Sequence, residues 1–137
     1  MKISKIGTMC KKTKTITIYQ RMNHDGYVST QFIGNGVAVY DVESLPELSE
    51  EIAAVIWDIP ENAMKNFNIY NGTIIRDEYA DVTDRDKPLE KGPTIRAGGV
   101  GGVAMYRQNG GVLFIDPMWL TPLADEYDRL EYYERDG

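Results

Sequence analysis

Two segments of this chain repeat each other. Gly36-Val37-Ala38-Val39-Tyr40-Asp41 matches Gly111-Val112-Leu113-Phe114-Ile115-Asp116, each a glycine, an apolar run and an aspartate. Beyond each segment the apolar positions keep step at an offset of 75: Leu45 with Leu120, Leu48 with Leu123, Ile52 with Tyr127, Val55 with Leu130. Upstream, Gly26 and Val28 align with Gly101 and Val103. A short apolar run closed by a turn reads as a strand, and apolar residues three and four apart read as a helix. Each copy therefore predicts a strand feeding a helix, either by duplication or by the shared grammar of hairpin-then-helix units.

The intervening sequence extends this pattern. Thr13 to Tyr19 alternates polar with apolar residues, Tyr27 to Ile33 predicts a second strand and Val37 to Tyr40 a third, separated by turns at Asn23–Gly26 and Gly34–Gly36. Ser44 and Glu47 have capping-box spacing ahead of the Leu45/Leu48/Ile52/Val55 stripe. Asn71-Gly72 predicts a compact hairpin over 67–76, and the charged segment 77–93, with Pro88, Gly92 and Pro93, predicts a surface loop. Strands resume at Thr94–Arg96, Val103–Arg107 and Val112–Ile115, before a last helix carrying Leu120, Leu123, Tyr127 and Leu130. The expected fold is α+β: one domain over 1–137 with a pseudo-repeat at 15–56 and 94–130. Its sheet should be mainly antiparallel, with the helices on one face.

Charge narrows the function. The net charge is −6, yet residues 1–14 hold five lysines and no acid, leaving a balance of −11 for the rest. Between Asp41 and Glu61 there are seven carboxylates and no cation, and Asp125 to Asp136 holds six against Arg129 and Arg135. Such fields repel nucleic acid and attract basic surfaces, so direct DNA binding is not expected unless the lysine-rich arm acts alone. One cysteine, Cys10, excludes an internal disulfide and fits a reducing cytoplasm. With His24 the only histidine, no zinc site and no cofactor are expected. No apolar run approaches membrane-spanning length, and residues 1–5 lack the features of a secretion signal.

The candidate chemistry is sparse. The matched Asp41 and Asp116 could form an acid pair, but the residues that follow are not those of aspartic proteases, and end-of-strand aspartates commonly cap backbone N–H groups. Gly98, Gly99, Gly101 and Gly102, with Arg96 and Arg107 nearby, could cradle a phosphate or nucleotide, although a P-loop lysine and a following helix are both missing. Asp77, Glu78, Asp81, Asp84 and Asp86 form an acidic loop without EF-hand spacing. Lys11 and Lys12 could activate Cys10, which otherwise reads as a small apolar side chain, and His24 reads as exposed. Two tryptophans and nine tyrosines serve either core packing or a binding surface. Glu47, Glu50 and Glu51 fall opposite the Leu45/Leu48/Ile52 stripe, with Asp58 and Glu61 beyond, and should project together to solvent.

Ile33 to Tyr40 running into Leu45-Pro46-Glu47-Leu48, with Val112 to Asp116 before Leu123, resembles small accessory proteins of phages and mobile elements in Firmicutes. The resemblance covers both repeat cores and carries no catalytic residues. It implies action by binding inside a bacterial host cell, as with inhibitors of host defence such as anti-CRISPR proteins. The leading expectation is thus a non-enzymatic protein whose face of Glu47, Glu50, Glu51, Asp58 and Glu61 engages a host protein with a basic surface. A sponge or sensor that holds a phosphorylated or nucleotide ligand on the glycine-rich loop, alone or across a homodimer, and a structural subunit of an assembly are the alternatives.

Overall fold

The computed structural model describes residues 1–43, 45–73 and 82–135. The chain forms two compact units, Ile3–Glu78 and Tyr79–Gly137 with Met1–Lys2. Helices and strands both contribute, and five of the six strand pairings among the described residues are antiparallel, giving the expected α+β class.

In the first unit, helix α1 (Ile3–Thr13) precedes strands β1 (Thr15–Met22), β2 (Val28–Gly34) and β3 (Val39–Asp41), then helices α2 (Glu50–Ile56) and α3 (Glu61–Met64) and strand β4 (Asn68–Thr73). The sheet order is β3-β2-β1-β4. The lysine-rich arm forms α1, an amphipathic helix that buries Ile6, Met9 and Cys10 and leaves Lys5, Lys11 and Lys12 exposed. Gly7 lets it approach Trp57: a Cβ there would sit 2.4 Å from the indole ring, whose Nε1 donates to the Ile3 carbonyl at 3.1 Å. Asn71-Gly72 does not turn. Both residues lie inside β4, opposite Ile18 and Tyr19 of β1, because parallel pairing with β1 extends the chain through them. Residues 74–76 of the expected hairpin lie outside the described residues.

The expected helix from Leu45 starts later. Gln31, 7% exposed on β2, donates to the carbonyls of Leu45 and Pro46 at 3.1 and 2.9 Å and accepts from the Leu48 N–H at 2.7 Å. Gln20 of β1 takes the Leu48 carbonyl at 3.0 Å. With those groups drawn to the sheet, residues 45–48 cannot form helical hydrogen bonds. Ser49 becomes the N-cap, its hydroxyl accepting from Ile52 N–H at 3.2 Å, while Ser44 lies outside the described residues.

The second unit contains strands β5 (Asp86–Ala97), β6 (Val100–Arg107) and β7 (Val112–Ile115), helix α4 (Pro117–Leu120), 3₁₀ turns at Thr121–Leu123 and Tyr127–Arg129, and strand β8 (Tyr132–Arg135). Its order is β7-β6-β5-β8. Of the segment expected to be a loop, residues 86–93 belong to β5. Pro88 sits in the short pairing with β8, and the register with β6 slips between Lys91 and Thr94, around Gly92-Pro93. Proline is tolerated at such irregularities because no ladder N–H is lost. The expected final helix ends at Leu120, since a helix continuing through Pro122 would drive its ring against the Met118 carbonyl. The helical half of the pseudo-repeat is therefore not shared: Leu123 lies in a 3₁₀ turn and Tyr127 in another, whereas Ile52 and Val55 are α-helical.

One face of this sheet packs Val103, Met105 and Leu120 with Leu89, Leu113, Ile115 and Tyr132. Two forked ion pairs hold β8. Arg135 meets Asp86 at 2.6 and 2.7 Å, and Arg107 grips both carboxylate oxygens of Glu134. Arg135 and Arg107 hold the carboxyls of Asp86 and Glu134, respectively, below the usual carboxylate range.

Two outcomes follow from these contacts. Gln31→Met, which keeps the length but strands three backbone groups, should cost about 2–4 kcal/mol in urea unfolding. The depressed acids stabilise the fold fully above their unfolded pKa near 4, and that contribution falls away as pH drops below it. Hydrogen exchange of the Tyr132–Arg135 amides should accelerate progressively, relative to the intrinsic rate, as pH falls below about 4, and Asp86→Asn should bring part of that loosening to neutral pH.

Candidate functional site

Four of the five acidic residues expected to act together do converge. Glu50, Glu51, Asp58 and Glu61 line one cleft of about 610 Å³ with Ala54, Val55, Ile59 and Met64. The late start of α2 explains the arrangement. Ser49 caps the helix so that Ala53 and Trp57 turn inward, and Val55, expected in the core stripe, turns outward to 78% exposure. Glu51 lies four residues before Val55, on the same side of the helix, and Asp58, just past the end of α2, lines the same cleft. Asp58 itself has φ +50, a left-handed residue that ends α2 and lets the chain double back toward α3. Ile59 and Met64, each 8% exposed, floor the cleft. Glu47 stands apart. It lines another cleft with Glu43, Tyr27 and Leu45, because the Gln31 contacts hold residues 45–48 away from α2.

Electrostatically, the two acidic stretches differ. In the C-terminal one, Asp125 and Glu126 lie 2.9 and 3.6 Å from the Met1 ammonium, and Glu134 is bound by Arg107. Among the described residues, none of Glu47, Glu50, Glu51, Asp58 and Glu61 makes an ion pair. The cleft thus combines an apolar floor, an exposed valine and four uncompensated carboxylates. The sequence marked the acids; it did not mark Val55, Ile59 and Met64 as their companions, because the helix was placed five residues early.

The glycine-rich segment is arranged differently from a phosphate cradle. Gly98 and Gly99, with φ +58 and +80, make the two-residue turn joining β5 to β6, a geometry that needs positive φ at both positions. Gly101 and Gly102 lie inside β6 opposite Arg96 and Ile95, where their backbone groups belong to the ladder. Arg96 pairs near the turn, while Arg107 lies opposite Leu89 at the other end of β6, roughly 20 Å away at strand spacing. Arg107 is also committed to Glu134. A cleft of about 360 Å³ does adjoin Arg107, lined by Lys87, Leu89, Asn109 and Glu134, but none of the four glycines reaches it.

The remaining candidates have local explanations. Asp41 lies on β3 in the first unit, while Asp116 in the second caps α4 by accepting from Met118 N–H at 2.9 Å. Cys10 is fully buried, with its thiol directed to the Gly34 carbonyl at 3.2 Å, and burial pushes its pKa up to about 12 rather than down. His24 is exposed in the β1–β2 turn. Asp77, Glu78 and Asp81 lie outside the described residues; Asp86 is bound by Arg135, and Asp84 sits in an exposed turn. Among the described residues no group of three His, Cys, Asp or Glu side chains converges as a metal site, and no helix is long and apolar enough to cross a membrane. Trp57 and Tyr40 are core residues, whereas Tyr27, Tyr70, Tyr106 and Tyr133 are exposed.

Comparison with protein-family models, with curated proteins and with solved structures finds no match to this chain.

The placement of Cys10 predicts its behaviour. At about pH 8 the native thiol should react with an aromatic disulfide reagent at least about 100-fold more slowly than the urea-unfolded chain, as expected for a buried, protonated sulfur. A rate near that of the unfolded chain would mean that α1 does not stay packed.

Proposed function

We propose that this chain is a non-enzymatic binding protein whose cleft of Glu50, Glu51, Asp58 and Glu61 receives a basic segment of a protein partner. The observation that carries the reading is the pairing of uncompensated carboxylates with an exposed Val55 over an apolar floor. Acids alone form a solvated face, but an apolar recess inside an acidic rim fits a segment that inserts one aliphatic side chain and surrounds it with lysine or arginine. Central apolar contacts supply affinity, while rim charges supply orientation and association rate. Surfaces of that kind occur where proteins grip nucleic acid, so occupying one would block its nucleic-acid function. An inhibitor of a host nucleic-acid-binding or defence protein, in a phage or mobile-element setting, is the most concrete form of this proposal. The acids would then stand where phosphates otherwise sit.

A partner captured from bacterial lysate, identified by mass spectrometry and titrated by calorimetry tests the proposal. Glu50→Lys with Asp58→Lys should weaken binding at least about 100-fold, and Val55→Ala about 10-fold, the scale of a central interface contact. Raising salt from about 50 to 300 mM should weaken the wild-type complex as rim charges are screened. Asp128→Lys, on an exposed acid of the second unit, should change little. Binding that survives the double reversal and ignores salt would remove the reading.

A further inference from the structure

The open edge of the second sheet carries a further inference. Among the described residues β7 is an outermost strand, paired only with β6. Its sequence, Val112-Leu113-Phe114-Ile115, contains neither the charge nor the proline that commonly blunts a free edge. Two independent alternations run along it. The Arg107 N–H donates to the Gly111 carbonyl at 2.8 Å, and hydrogen-bonded pairs alternate along an antiparallel ladder. In the observed register Met105–Leu113 and Val103–Ile115 are therefore the bonded pairs, so the backbone groups of Val112 and Phe114 point away from β6. The side chains alternate in the same phase. Leu113 and Ile115 face the core, while Val112 and Phe114 lie on the opposite face at 42% and 59% exposure, beside Tyr106 at 40%.

We propose that a second copy of this chain pairs with β7, antiparallel, about a twofold axis centred on Leu113. Centring on that residue places Val112 opposite Phe114 of the other copy, and the reverse. Both residues have unpaired outward backbone groups, so the pairing forms reciprocal N–H to carbonyl bonds on each side of the axis. Centring between residues would instead set outward Val112 against inward Ile115, turning the faces of the two sheets against each other. Centring on Phe114 would place Val112 opposite Asp116.

The Leu113 register meets both alternations and is isologous, so each contact is made twice. It joins the two four-stranded sheets into one of eight strands, within the range of open sheets. The exposed band of Tyr106, Val112 and Phe114 then continues from one copy into the next, with valine–aromatic cross-strand pairs at its centre.

Charge permits the contact despite a net −6 on each chain. In this register Asp116 comes opposite Gly110, Arg107 remains held by Glu134, and no like charges face each other. Four residues per copy bury less than the roughly 1,200 Å² of durable interfaces, so the dimer is concentration-dependent rather than permanent.

Sedimentation equilibrium on the full chain between about 10 μM and 1 mM reads this directly. The wild-type mass should rise from 15.5 kDa toward twice that value. Val112→Lys with Phe114→Lys sets lysine against lysine and should weaken the dimer at least about 10-fold. Val112→Lys with Phe114→Glu sets lysine against glutamate and should restore it to within about threefold. Both pairs of changes lie on the solvent face, and circular dichroism confirms that each variant is folded. If a charged variant fails to fold, Val112→Pro deletes only an outward N–H and should weaken the dimer about 10-fold at an edge position that accepts proline. A wild type that stays monomeric throughout, a lysine pair or proline variant that dimerises undiminished, or a folded Lys/Glu variant that stays monomeric would each overturn the proposal.

Discussion

The Gln31 amide sets the geometry of everything between β3 and α3. Its carboxamide is nearly enclosed and satisfies three backbone groups of residues 45–48, with Gln20 holding a fourth. A buried amide with this many partners is costly to disturb, because releasing the strap would leave donors and acceptors unpaired on both sides. While it holds, the chain stays extended until Ser49, and the phase of α2 is fixed from that cap. Phase decides function here. The helix expected from Leu45 had Val55 in its buried stripe and the acids along a plain solvent face. Begun at Glu50, it buries Ala53 and Trp57 and exposes Val55 between Glu51 and Asp58.

What could be read from the sequence, and what could not, divides along the same physical line. Strands β2, β3, β6 and β7 and the turns beside them were legible because alternation and turn residues are local signals, and each turn is closed by its own residues. Asn23, for example, accepts from the N–H groups of Asp25 and Tyr27. β4 was not legible, because Asn71-Gly72 is a strong turn signal overruled by pairing with β1, a contact more than fifty residues away in sequence. The end of β5 was legible at Thr94–Arg96, but residues 86–93 were hidden by Pro88 and Pro93, which read as breakers although both sit where the ladder tolerates them. α1 was hidden by its lysines, yet the spacing of Ile3, Ile6 and Cys10 was available as a helical signal. For the acidic cleft, the carboxylates could be named in advance, since charge is a property of residues. Their apolar companions could not, since those depend on where a helix begins.

The contrast between the two acidic stretches shows why net charge alone says little about function. The C-terminal carboxylates at 125, 126, 134 and, further upstream, 86 are spent inside the molecule, tying β8 and the amino terminus into the second unit. That unit has a thin core, and ion pairs with forked geometry supplement it. The carboxylates of the first unit accompany a larger core and contribute no ion pairs among the described residues. Acids that do not serve the fold, gathered around an apolar recess, are the ones whose placement calls for a partner.

Topology explains how the first unit comes to carry such a recess. The two sheets share an order, with an antiparallel meander followed by a fourth strand beside the first, but they differ in the direction of that fourth strand. β4 runs parallel to β1, and therefore parallel to β3 from which the chain arrives, so the connection must travel back along the sheet. Such a return needs a crossover of a dozen or more residues, commonly helical, and residues 42–67 supply it with α2 and α3. β8 runs antiparallel to β5 and to β7, so the chain leaving β7 re-enters at the same end of the sheet. Residues 116–131 then need only short helical turns. The reversal of one strand thus separates two otherwise similar sheets. One carries a helical crossover with an acid-rimmed cleft, and the other keeps a short connection and an apolar edge at β7.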